Sequence, residues 1–367
     1  IHMVAVPLAV SCGSDPRLPV QMDSLKVPYP PKSFPVRDDV GRPFRQCLSH
    51  QGRRVQAIHI LGIGGKIGPS LALMALRACN RAGVSKRIIG VSQFESEQQR
   101  LKIEQMGIET MDGDLLDTEF VRSLPQVENV FFLAGMKFGS QENISLTWAV
   151  NSHVPGLVAD HFKASRIVAF STGCVYPLVS RDSGGSVETD PPAPVGEYAQ
   201  SCLGRERMFE YGSKKHRTRV CLIRLNYSVE LRYGVLVDIA LKVKKQEAID
   251  LSMGYFNVIW QGDMNDMVLR SLEICESPAR ILNITGADIL SVREVAEEFG
   301  RLFHEKPRFI HEEAATALLN NPAEALQLFG PARVGSGQII NWIAHWIGEG
   351  GEILGKPTHY EVRDGKY

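Results

Sequence analysis

Three glycines at intervals of three, Gly62, Gly65 and Gly68, follow a short apolar run and precede a stretch of helical spacing. Glycine in that place can bring bare backbone amides against a phosphate. The first glycine permits a tight turn, and the second lets the chain approach a pyrophosphate. The third lets helix and strand pack closely, with the helix N-terminus facing the anion. The whole loop, Gly62-Ile63-Gly64-Gly65-Lys66-Ile67-Gly68, is therefore a candidate dinucleotide site. A carboxylate at the end of the next apolar run would take the adenosine ribose hydroxyls and select NAD. That run ends Val91-Ser92-Gln93, with no acid before Glu95. Ser92 could bond a 2′-phosphate, but no Arg adjoins it, so these residues leave NAD and NADP close to even; NAD is the cofactor expected, with NADP possible. The ten histidines show no HxH or HExxH spacing and the seven cysteines no CxxC, so no metal site is expected.

The elements that must position this loop are legible as apolar runs between helical stretches. Strands are expected at Val55–Leu61, Arg87–Val91, Thr110–Met111, Asn129–Leu133, Arg166–Phe170 and Val220–Leu225. Helices are expected over 68–81, 98–105, 144–162 and 198–211, and an amphipathic one over 339–347 whose Trp342 and Trp346 pack on the body. Alternation of this kind predicts an α/β fold, a Rossmann-type doubly wound parallel sheet covered on both faces. Residues 1–50 read as a Pro-rich leader, 51–225 as the NAD(P)-binding domain, and 226–350 as a smaller C-terminal lobe that mainly holds substrate and returns some segments to the sheet. Residues 351–367 are a polar tail.

Composition excludes several classes of partner. Forty-one basic residues balance 41 acidic ones, which argues against nucleic acid and against a polybasic membrane anchor. No run approaches the ~18 apolar residues of a membrane span. A reduced, cytoplasmic setting is expected from the odd cysteine count and the lack of a signal-peptide pattern.

From about Val55 to Asn283 the chain resembles the extended short-chain dehydrogenase/reductases, the NAD-dependent sugar epimerase/dehydratase group. The GxxGxxG spacing is that group's. Asp114-Leu115 looks like its adenine contact, and Leu133-Ala134-Gly135 like the strand segment beneath the nicotinamide. Asn151 looks like the helix asparagine that supports the active site. Ser171-Thr172-Gly173-Cys174-Val175-Tyr176 resembles the catalytic segment, with Tyr198 following where the catalytic tyrosine should. Leu225 and Asn226 resemble the turn into the substrate lobe. The resemblance implies an NAD(P)-dependent epimerase or oxidoreductase acting on a hydroxyl or keto group of a sugar, sugar acid or nucleotide sugar. Tyr198 would exchange the proton and Thr172 orient the oxygen. It also implies a homodimer through helices 144–162 and 198–211.

Two departures matter. The family's YxxxK lysine, which holds the nicotinamide ribose and lowers the tyrosine pKa, is here Cys202. Lys137 is the expected substitute cation, with Arg205 the alternative one turn further along the helix. Cys202 itself reads as an inert buried thiol. The acidic pair that drives elimination in 4,6-dehydratases is replaced by Gly173-Cys174, which disfavours dehydration. Tyr176, Asn226, Tyr227, Arg232, Trp260 and Gln261 are candidates for the substrate pocket, Arg232 because a guanidinium fork suits carboxylate or phosphate. The rival readings are a non-catalytic dinucleotide-binding sensor or partner-binding protein, and a lyase or isomerase using tightly bound NAD transiently.

Overall fold

A computed structural model describes residues 55–366 apart from 138, 140 and 141. The leader expected over residues 1–50 lies outside the described residues. Seven strands form one sheet: β1 Val55–Leu61, β2 Arg87–Ser92, β3 Glu109–Asp112, β4 Val127–Phe132, β5 Arg166–Thr172, β6 Arg219–Leu225 and β7 Arg280–Ile284. Their order is β3-β2-β1-β4-β5-β6-β7 and each neighbouring pair is parallel. The order reverses between β1 and β4, which opens a crevice beyond the carboxyl ends of those strands.

The apolar runs become central strands because both faces are covered. Every residue of β5 is buried. On one face Ile58, Ile60 and Val168 meet Leu71, Met74 and Ala78 of α1 (Gly68–Ala82). On the other, Leu61, Val130 and Phe132 meet Val154 and Val158, and Phe209 of the long helix Gly196–His216. Helices α2 Glu97–Glu104 and α3 Thr118–Ser123 complete the first half.

The helix expected over 144–162 is broken in the middle. It runs as α4 Ile144–Trp148, a π-turn Ala149–His153, and α5 Val154–His161. Pro155 has no N–H to offer the carbonyl of Asn151, and the Val154 N–H reaches back to Ala149 O instead. Helix α6, Gly196–His216, is longer than expected at both ends. The strand β7 comes back from the second half of the chain to pair with β6.

The rest of that half builds a second core. Helices α7 Val235–Lys244, α9 Val292–Phe303 and α11 Ser336–Gly348 enclose Leu236, Phe256, Trp260, Phe299, Trp342 and Tyr360. Between them α8 Gln261–Arg270 and α10 Ala323–Phe329 lean on the sheet side, where Met264, Met267, Ala325 and Phe329 join the first core. No helix among the described residues is long and apolar enough to cross a membrane.

Candidate active site

The glycine loop forms the tight connection between β1 and α1 that its spacing predicts. Gly62 adopts φ 86°, and a Cβ there would lie 2.5 Å from the backbone N of Ala134. Any other residue would push the loop off the end of β4. A Cβ on Gly68 would strike Ile63, so α1 can pack only if that position is glycine. Helix α1 starts with no side-chain cap and no acid in its first turn. Its leading amides therefore have no side-chain acceptor competing with an anion.

Lys66 stands in this loop with its Nζ 3.3 Å from the centroid of the Tyr233 ring. Burial, helped by the positive charges of Lys137 and Lys356, brings its ammonium down to about 7. Three lysines from separate parts of the chain thus share one field beside the glycine loop. Ser92, at the end of β2, donates to the carbonyl of Gln93 at 3.2 Å and sits against Gly64, where a Cβ would come within 2.8 Å of its hydroxyl. Asp114 caps its own turn, accepting the Leu116 N–H at 2.8 Å, while the Leu115 side chain is buried in the core. Leu115 thus has only backbone to offer a ligand.

The second cluster gathers where β4, β5 and α6 end or begin. Tyr198 lies in the first turn of α6, and its phenol is hydrogen-bonded to the Thr172 hydroxyl at the end of β5 and to the Cys202 thiol one turn on. Thr172 also accepts the Cys174 N–H at 3.1 Å, which fixes its rotamer. Lys137, on the irregular segment that leaves β4, has its Nζ 5.9 Å from the centre of the Tyr198 ring. Burial lowers its ammonium below the usual lysine range. Burial raises the Tyr198 phenol well above its ordinary value, and the neighbouring thiols of Cys202 and Cys174 add to this. Arg205 and the Thr172 hydrogen bond pull it the other way. Cys202 is fully buried, and burial pushes its thiol up to about 11. A thiol at that value is inert at neutral pH.

Sequence spacing underrated Arg205. It is one turn beyond Cys202, but its long side chain folds back. Nη1 donates to Phe170 O at 2.8 Å and Nη2 to Asn151 Oδ1 at 2.7 Å. Its charge acts on both Tyr198 and Cys202. Gly135 makes room for it, since a Cβ there would collide with Nη2. Asn151, in the π-turn, accepts the Met136 N–H at 2.9 Å and donates to Met136 O at 2.8 Å and to Ser201 Oγ at 3.0 Å. One buried amide therefore braces the segment that carries Lys137 and aligns it with α6.

Sequence reasoning missed the support beneath the cluster. Glu206 is fully buried on α6 and accepts from Ser171 Oγ at 2.5 Å. Arg224 of β6 donates to the same carboxylate through Nε at 3.1 Å and Nη2 at 2.8 Å. Although burial works against it, Glu206 holds the Arg224 guanidinium above its ordinary pKa. The pair locks the residue next to Thr172. The signal was present as Glu206 on an otherwise inward face of α6, but no local pattern pairs it with Arg224.

Several expected pocket residues face elsewhere. Trp260 is 6% exposed and packs edge-on against Trp342 at 5.3 Å in the second core, where its large apolar ring is best buried. The Arg232 guanidinium is taken by Glu230, 2.9 Å from Nε, and is not poised for an anion. Tyr176 is 2% exposed, and its hydroxyl donates to Asn283 Oδ1 at 2.9 Å. Asn226 is buried and donates to Asn257 Oδ1 at 2.8 Å. Gln261 donates to Ser70 Oγ at 2.8 Å and ties α8 to α1. Tyr227, at φ 38°, lies half-buried between the second core and a small cluster around Leu318. Leu225 ends β6, half-buried against the first core.

The family model described as NAD dependent epimerase/dehydratase family matches residues 58–229. No curated protein matches the chain. Among solved structures, the UDP-glucuronic acid 4-epimerase of Bacillus cereus in complex with UDP-glucuronic acid and NAD is similar with TM-score 0.66 at 14% identity, over 80% of this chain and 99% of that one. The dTDP-glucose 4,6-dehydratase DesIV of Streptomyces venezuelae, with NAD bound, gives 0.67 at 16% identity, over 80% and 97%. The UDP-glucose 4-epimerase of Thermotoga maritima gives 0.65 at 14%, over 80% and 99%. At these identities the likeness establishes the fold.

Proposed function

We propose, from the match of residues 58–229 to the NAD dependent epimerase/dehydratase family model, that the protein is an NAD-dependent epimerase or oxidoreductase acting on a sugar hydroxyl, with a nucleotide sugar as substrate class. The observation that carries this reading is the convergence of the Tyr198 phenol, the Thr172 hydroxyl and the Lys137 amine at the carboxyl end of the sheet, beside the glycine loop.

The residues fit the dinucleotide. Gly62, Gly64 and Gly68 let the loop pack against Ala134, Ser92 and Ile63, a Cβ on Gly65 would meet nothing closer than Gly62 O at 3.4 Å, and α1 presents uncapped amides. Gly62, Gly64, Gly65, Lys66 and Gly68 would hold the pyrophosphate, Ser92 and Asp114 the adenosine end, and Ala134 and Gly135 the inner face. The bound nicotinamide supplies the hydride acceptor and donor. Tyr198 takes the proton from the reacting hydroxyl and returns it, and Thr172 orients that oxygen. Lys137 and Arg205 supply the positive charge that the missing YxxxK lysine would have given. Hydride returned within the same turnover gives epimerisation; release of NADH gives net oxidation. Replacement of the dehydratase acidic pair by Gly173-Cys174 leaves no carboxylate at those two positions for elimination.

We also propose a homodimer through α4 and α6. Ile144, Leu146 and Trp148 on α4 and Met208 and Tyr211 on α6 are exposed large apolar side chains. A shallow hollow walled by Trp148, Pro194, Leu203 and Gly204 lies on the same face.

Incubating the protein and NAD with UDP-glucose and UDP-glucuronic acid tests the function. The expected result is a C4-epimeric product or a rise in absorbance at 340 nm. NAD binding with no turnover of any nucleotide sugar, free sugar or sugar acid would return the protein to the non-catalytic class.

The phosphate loop makes a separate prediction. Lys66 titrates near 7, so at pH 8 it is largely neutral without ligand. A pyrophosphate beside it favours the charged form. NAD binding at pH 8 should therefore take up close to one proton, and affinity should fall as pH rises above about 7. Calorimetric titration in two buffers of different ionisation enthalpy reads that uptake directly. Identical enthalpies in both would place Lys66 away from the phosphates.

A further inference from the structure

After α11 the chain runs through residues 351–366 without helix or strand, yet it is fastened along its length. Leu354 N donates to Arg232 O at 3.1 Å, and Lys356 Nζ lies 3.6 Å from Glu95 Oε1 just after β2. Thr358 donates through its N–H and hydroxyl to Asp238 Oδ2, at 2.7 and 2.6 Å. Its carbonyl accepts from Lys137 Nζ at 3.0 Å. Tyr360 is buried against Phe256. Arg363 donates through Nη1 to Ser252 O and Thr316 O, at 3.0 and 2.7 Å, and through Nη2 to Thr316 Oγ1 at 2.7 Å. Gly365, at φ 76°, lies so close to Val195 that a Cβ would strike its carbonyl.

These anchors alternate between the two halves of the molecule. Glu95, Lys137 and Val195 belong to the sheet side; Arg232, Asp238, Ser252 and Thr316 belong to the smaller lobe. The segment therefore crosses the mouth of the cleft between the phosphate loop and the start of α6. On its way it engages the amine that the proposed chemistry requires at Tyr198.

We propose that residues 355–366 are a strap that gates the dinucleotide cleft and holds Lys137 until ligand enters. The inference rests on the functional reading above. Thr358, Tyr360 and Gly365 are buried, but Lys356 is exposed, Arg363 is half-buried and the segment has no helix or strand of its own, so the strap belongs to the part of the fold that opens locally. A ligand that binds only the open form shifts the population toward it, and its apparent affinity is reduced by the fraction open. Loosening the strap without touching the site should recover that loss.

The test uses full-length protein. Association of NAD is followed by stopped flow for wild type, Arg363→Ala, which cuts the clamp on Ser252 and Thr316, and Gly365→Val, which forces the last anchor off Val195. Amide exchange of 355–366 is measured with and without saturating NAD. The expected result is association faster by about tenfold in both variants, with strap amides of the wild type exchanging faster when NAD is bound. Equal association in all three proteins, with strap protection unchanged or increased by NAD, overturns the gate and leaves the proposed function standing. No NAD binding by any of the three overturns the proposed function and the gate together.

Discussion

Tyr198→Phe should reduce turnover by about 10²- to 10⁴-fold, the usual contribution of a positioned acid–base group. The shift in melting temperature produced by NAD should stay within a degree of wild type. The substitution removes one oxygen at the meeting point of β5 and α6 and leaves the ring in place, so loss of rate with retained binding identifies proton exchange rather than packing. The pH profile adds a sign. Burial first, and then the thiols of Cys202 and Cys174, hold the phenol above its ordinary pKa. The base is the phenolate, so its share grows about tenfold per pH unit throughout the range below that pKa. The pH dependence of kcat/KM should therefore rise steadily from pH 6 to 9 with no plateau near neutrality. Lys137→Ala should lower kcat further than it weakens NAD binding, since the amine lies beside the Tyr198 ring. A Tyr198→Phe protein with wild-type turnover would transfer the chemistry to another base and favour a lyase or isomerase.

Arg224→Leu should destabilise the fold by about 3–5 kcal/mol, because it leaves the Glu206 carboxylate buried without its partner. The arginine and glutamate side chains are 1% and 0% exposed, so water cannot substitute for the lost bonds. The melting temperature should fall by roughly 10 °C on that basis. Removing both charges in Arg224→Leu/Glu206→Leu should recover much of the loss, since an apolar pair needs no desolvation. Ser171 bonds the same carboxylate next to Thr172, so the single variant should also lose activity at temperatures where it remains folded. Thermal unfolding of the two single variants and the double variant closes the cycle. A single-variant loss below about 1 kcal/mol would mean that the pair is hydrated.

The sequence by itself determined the sheet, the tight glycine turn and the segments proposed to carry the chemistry. Apolar runs such as Arg166–Thr172 have no solvent face, which is how a parallel strand covered on both sides reads. The glycines at 62 and 68 are required by backbone contacts a few residues away, so their meaning is local. Tyr198 and Thr172 follow from resemblance, and Lys137 from its position at the end of β4.

Tertiary structure alone decided which long side chains turn inward. Arg205 reaches Asn151 because Gly135 leaves space, Trp260 goes to the core because Trp342 waits there, and Arg232 is claimed by Glu230. It also decided the course of the tail, whose polar sequence has no periodicity to betray a partner. Thr358 meets Lys137 across 221 positions of chain. Such contacts depend on the assembled surfaces of two lobes, and no window of residues contains both halves of them.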